Sequence, residues 1–146
     1  MKALITAVLI TISFPTFSSE MGAVDSLTSI LPVSSYKGMD DKNNVCAVEV
    51  NEVNFPAKAV TVTVSNNKNK IFKIINDDSE FLFRAYKQEY IQTDRQYVDA
   101  TRNAFVERII RTVNAGENRL YVIVANEVTV NREVIVEAVE CVVDLK

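Results

Sequence analysis

Cys46, in "NNVCAVEVNEV", and Cys141, in "EAVECVVDLK", are the two cysteines of this 146-residue chain. A thiol can serve as a nucleophile, a redox centre, a metal ligand or half of a disulfide. The chain contains no histidine. That excludes Cys–His and Ser–His–Asp nucleophiles, imidazole general bases and the usual zinc sets with histidine. The cysteines lie far apart in sequence and form no CxxC redox motif. Each sits in a valine-rich run, away from any activating neighbour, so the reading favoured is a disulfide that joins the first and last strands of one domain. Two reactive thiols are the alternative.

Carboxylates and carboxamides cluster twice. Asp40, Asp41, Asn43 and Asn44 form "DDKNN", and Asn76, Asp77, Asp78 and Glu80 fall in "NDDSE". Calcium takes oxygen ligands of these types, but neither stretch has the spacing of an EF-hand loop or its turn glycine. Asp, Asn and Ser also make turns by bonding to their own backbone, and that reading is preferred. No carboxylate pair is singled out as the acid and nucleophile of a glycosidase. With no glycine-rich nucleotide loop and no G-x-S-x-G elbow, no catalytic residue, metal or cofactor is expected.

One segment has residues suited to binding. In "EFLFRAYKQEYIQ", Arg84, Tyr86, Gln88, Tyr90 and Gln92 alternate. On a single long strand they would share one face, a flat strip for a peptide or a sugar. The same alternation is what a solvent-facing sheet strand produces by default. Arg102, Arg108 and Arg111 could form a small basic patch if they lie on a helix face.

The elements that must position these residues follow from periodicity. The first segment, "MKALITAVLITISFPTFSSE", has a lysine, an apolar run, a proline and small residues. This is the layout of a secretory signal peptide over 1–19, cut after Ser18 or Ser19 rather than after Ala23. The run is short for a membrane span, so no stable membrane insertion is expected after cleavage. Residues 20–43, rich in Ser, Gly, Asp and Asn, read as a flexible lead-in. Period-two alternation then runs through Cys46–Val48–Val50, Val60–Val62–Val64 and "KIFKII". The strand 81–92 follows.

At "TDRQ" the pattern turns helical, with Thr93 and Gln96 as a capping box. Val98, Phe105, Ile109 and Val113 then share a helical face, and Gly116 supplies a stop. An amphipathic helix is expected over 94–114. The rival is a pair of strands, since "AFVERIIRTV" is rich in β-branched residues. Two strands end the chain, the first kinked at "ANE" and joined to the second by a tight turn at "NR". The last, "EVIVEAVECVV", is apolar on both faces and should be central and covered on both sides. The expected fold is α+β over 44–146: about six mainly antiparallel strands with the 94–114 helix packed on one face. The alternative is an all-β sandwich.

The formal net charge of −3 argues against a nucleic-acid partner. The expected function is that of a small exported, non-enzymatic binding or structural-interaction protein, periplasmic or secreted, held by one disulfide and directed at a protein or glycan. The alternative is an inhibitor-like protein directed at an exported protease or glycosidase. "NFPAK" and "NAGEN" are its candidate inhibitory loops.

Overall fold

The computed structural model describes residues 21–54, 57–99 and 104–146; the expected signal segment 1–19 lies outside them. Nine strands form one antiparallel sheet: β1 (Ser35–Met39), β2 (Val45–Val53), β3 (Ala59–Asn66), β4 (Lys70–Asn76), β5 (Phe81–Arg84), β6 (Glu89–Asp99), β7 (Ala104–Gly116), β8 (Arg119–Val130) and β9 (Glu133–Asp144). Their order across the sheet is β4-β3-β2-β1-β9-β8-β7-β6-β5. Seven of the eight neighbouring pairs are consecutive in sequence, as short turns dictate. The exception, β1 with β9, joins the beginning of the fold to its end. The sheet curls into a half-barrel that brings β3 and β4 over the inner faces of β7, β8 and β9.

The core is the inner face of that curl. Val48, Val50, Val60, Val62, Val64, Leu120, Val122, Val124 and Val143 alternate inward from their strands and are buried. One α-helix occurs among the described residues, α1 (Ala23–Ile30), and it packs against β4, β5 and β6. Ala23, Val24, Leu27, Ile30 and Leu31 join the same cluster. Residues 20–43, expected to be a flexible lead-in, therefore contain α1 and β1. The anchor is remote in sequence. The first turn of α1 has no cap from Gly22, and the Val24 amide instead donates to Asp77 Oδ1 at 3.1 Å. An acceptor at a helix start satisfies an orphan donor and complements the helix dipole.

The 94–114 helix does not form. Those residues make the β6–β7 hairpin, paired Gln92↔Ile110, Asp94↔Arg108 and Gln96↔Val106. Val106, Ile109, Ile110, Thr112 and Val113 are stiff at χ1 and fit a pleated surface better than a helix. β8 offers this segment a second ladder from Phe105↔Thr129 to Asn114↔Leu120. Thr93 and Gln96, expected to cap a helix, face Ile109 and Val106 across the ladder instead. The sheet thus has nine strands where about six were expected, and the all-β alternative describes it better than a sheet with a covering helix.

Two smaller expectations divide. β8 keeps its register with β9 through Asn126, without the expected kink. The "NR" turn does form, with Asn131 and Arg132 both at positive φ, as a two-residue hairpin turn requires.

Cys46 and Cys141 form a disulfide, with Cα atoms 5.8 Å apart. It fastens β2 to β9 across β1, since Gly38 pairs with both Cys46 and Val143. A Cβ on Gly38 would run into the Val142 carbonyl oxygen and come within 3.1 Å of Cys141 Sγ. Glycine is needed there for the close approach of two backbones.

Two outcomes follow for the purified protein. Replacing both cysteines by alanine should lower unfolding stability by about 4–5 kcal/mol, the chain-entropy value for so long a loop. Urea denaturation of the oxidised, reduced and double-alanine forms measures it, and a loss under about 1 kcal/mol would contradict the estimate. Gly38→Ala should also shift the urea midpoint downward, with the disulfide still formed. An unchanged midpoint would show that β1 and β9 can separate without loss.

Candidate functional site

The strip expected at Arg84, Tyr86, Gln88 and Tyr90 is dispersed, because the chain does not stay extended there. A single 3-10 turn, Ala85–Lys87, interrupts it, and Gln88 adopts the left-handed conformation. β5 and β6 become a hairpin, and the four side chains take different directions. Arg84 reaches Glu89 at 3.2 Å, and Arg111 takes the other oxygen of the same buried carboxylate, also at 3.2 Å. Gln88 accepts from Asn114 at 2.7 Å. Tyr90 is fully buried and stacks on Phe81, ring centroids 5.5 Å apart. Only Tyr86 stands free in solvent, 80% exposed with Lys87 over its ring. Arg108 and Arg111 lie an odd number of positions apart on one strand and face opposite ways, and Arg102 lies outside the described residues.

The acidic turns behave as turns. Asp40 accepts from the Lys42 and Asn44 amides and from the Asn44 side chain. Those bonds hold its carboxyl below the usual range, the Asn44 side chain contributing most. No cluster of acidic, cysteine or histidine side chains suited to a metal occurs among the described residues. "NAGEN" is a polar turn between β7 and β8, whereas "NFPAK" lies partly outside the described residues.

The exposed chemistry sits where the strands outgrow their cover. β3 and β4 have 8 and 7 residues, whereas β7, β8 and β9 have 13, 12 and 12. The excess of about five residues at about 3.3 Å each leaves a four-stranded blade about 16 Å long that β3 and β4 do not cover. Its inner face carries the cross-strand row Val106–Val128–Ile135, and Ile135 is 66% exposed. Its outer face carries Tyr97, Phe105 and Val134, with Arg95 over the Phe105 ring. The last strand was expected to be covered on both sides. It is central in the sheet, but it is covered only from Val139 onward.

Both edges of the blade are open. β9 pairs with β8 throughout, yet with β1 only at Val142 and Val143. From Glu133 to Glu140 its other edge has no strand beside it among the described residues. Along that edge run two adjoining pockets of about 300 and 370 Å³, which share Lys68, Asn69 and Ala138. Their opposite wall is made by the β3–β4 turn and the β1–β2 turn. On the other side, β6 has no strand partner on its β5 side beyond Gln92 among the described residues. Period-two alternation placed Val128, Val134 and Ile135 in phase, whereas Phe105 and Val106 were expected on the 94–114 helix. It could not show that β3 and β4 stop too early to cover them.

Where the blade meets the core, a buried cation crosses the barrel. Lys73 projects inward from β4, with its side chain only 1% exposed. It donates to Asp94 of β6 and, at 3.0 Å, to the Arg108 carbonyl of β7. Desolvation lowers its pKa, which the Asp94 carboxylate partly offsets. Behind it on the same inner face, Tyr90, Gln92 and Thr112 are fully buried. Their side-chain polar atoms have no hydrogen-bond partner among the described residues.

No family model, no curated protein and no solved structure matches the chain.

The tyrosines give this arrangement a pH signature. Burial, and secondarily the charges of Asp94 and Asp77, raise the Tyr90 pKa. Burial and the hydrogen bond to Glu140 push Tyr121 up to about 12. In the folded state both phenols keep protons that the unfolded chain sheds near 10, so stability falls as pH rises past 10. Lys73 acts in the opposite sense, but only up to its unfolded value of 10.5. Urea midpoints at pH 9 to 12 should therefore decline above 10, and the decline should flatten in Tyr90→Phe and Tyr121→Phe. A flat profile through pH 12 would refute this account.

Proposed function

We propose that this is an exported, non-enzymatic protein that holds another protein by strand addition at the free edge of β9. The observation that carries the reading is the uncovered blade: an unpaired strand edge from Glu133 to Glu140, bordered by a groove, with apolar side chains exposed on both faces. An open edge presents backbone donors and acceptors in register for an extended segment, and flanking pockets select its side chains. Contiguous exposed apolar surface of this kind marks an interaction site. The disulfide supports an oxidising compartment, periplasmic or extracellular. Cleavage after Ser18 or Ser19 would leave the hydrogen bonds from the Ala23 and Val24 amides to Asp77 at the start of α1 intact.

Charge argues against a second copy as the occupant. In two of the antiparallel registers open to the β9 edge, Glu137 stands opposite Glu133 or opposite the Glu137 of the second copy. Like charges directly opposite one another are destabilising. The segment that fits alternates apolar residues with a lysine or arginine placed against Glu137. Glutamates on an exposed edge deter self-pairing while leaving room for a basic partner.

A photo-crosslinking amino acid at Ile135, compared with one at Tyr86, tests this in the native exported fraction. One dominant protein should be captured from position 135 and not from 86. The purified partner should then lose at least about tenfold in affinity for Val136→Pro, a change that removes one edge amide. Equal capture from Tyr86, or full affinity of a folded Val136→Pro variant, would overturn the proposal.

A further inference from the structure

We infer that the cleft between β4 and the inner face of β6–β8 is a binding site for a small monocarboxylate, recognised by Arg108. The cleft measures about 320 Å³ and is lined by Phe72, Lys73, Ile74, Asp94, Arg108 and Asn126. That volume lies within the range of small-molecule sites.

The recognition chemistry follows from one cross-strand row. Asp94, Arg108 and Asn126 stand opposite one another on β6, β7 and β8. Asp94 would ordinarily neutralise Arg108, its direct neighbour across the ladder. It is instead engaged by Lys73, which comes from the facing layer. The Arg108 guanidinium is left with no hydrogen-bond or ion-pair partner among the described residues. Among the residues that line the cleft, two cations stand against one carboxylate; Glu137 of β9 follows Asn126 in the same row, outside the lining.

A guanidinium presents a planar fork of donors that matches a carboxylate in bidentate geometry. The Asn126 carboxamide adds a neutral donor beside it. Phe72 and Ile74 border the cleft from β4, with side chains that alternate to the face opposite Lys73. A second negative charge on the ligand would be set against Asp94, and an organic cation would meet the net positive charge of the lining. The chemistry therefore selects a monoanion. The site is independent of the strand-addition reading, because Arg108 lies on β7, away from the β9 edge.

Titration calorimetry of the intact oxidised protein at low ionic strength tests the site, with benzoate as ligand and benzamide as its neutral isostere. Benzoate should bind at least about tenfold more tightly than benzamide, and Arg108→Gln should abolish the difference. Arg108 is exposed, so the variant should keep the native circular dichroism. The amide signals of Phe72 and Asn126 should shift with benzoate in the wild type alone. Equal binding of the two ligands would overturn the proposal. So would unchanged benzoate affinity in Arg108→Gln, or no binding to the folded wild type at about 10 mM.

Discussion

The architecture depends on the junction of β1 with β9. Only Gly38↔Val143 and Met39↔Val142 pair across it. On one side lie β4, β3, β2 and β1, and on the other β9 through β5. Two residue pairs are a thin ladder for holding two sub-sheets in one curl. The disulfide reinforces it one strand further on, and the missing side chain at position 38 lets the backbones meet. Without that junction, β4 would not be held over β7 and β8. Lys73 would have no reason to lie under Asp94, and α1 would lose the surface it packs on.

The molecule therefore divides along its strands rather than between them. Along β8, Leu120, Val122 and Val124 are covered. Asn126 marks the boundary, and Val128 and Val130 on the same face are 37% and 40% exposed. The same transition occurs on β9, from Val139 outward to Ile135. The row that contains Asp94, Arg108 and Asn126 is the rim of the core. A charged pair is tolerable there because Asp94 remains half exposed. Deeper in the barrel the same pair would cost more in desolvation than it returns.

Much of this was legible in the residues. The two valine-flanked cysteines, in a chain without histidine, pointed to a disulfide between the first and last strands; the disulfide is present, but it joins the second strand, β2, to the last across β1. Strict alternation located β2, β3 and β4. The segment 94–114 misled because its apolar residues satisfy a period of 3.6 and a period of 2 together. The β-branched content was the better guide, and the neighbouring strand decided the outcome. Tyr86 and Tyr90 were assigned one face because nothing local announces the 3-10 turn between them. α1 was missed because its first-turn acceptor, Asp77, lies 53 positions away from Val24. The blade and the cleft depend on where strands end relative to one another, which no single strand encodes.

The same junction governs when the protein can become itself. Each hairpin from β2 to β4 and from β5 to β9 can form from neighbouring sequence, but the curl closes only when the last strand meets the first. Contacts of such long sequence separation are slow to form, because the intervening chain must be ordered first. A chain emerging from its N-terminus therefore carries valine-rich open edges and an unpaired Cys46 until β9 is complete. Incomplete molecules are the aggregation-prone ones. Through this delay the early strands stay unpaired, and the Cys46–Cys141 disulfide can form in its native place only once β9 has arrived.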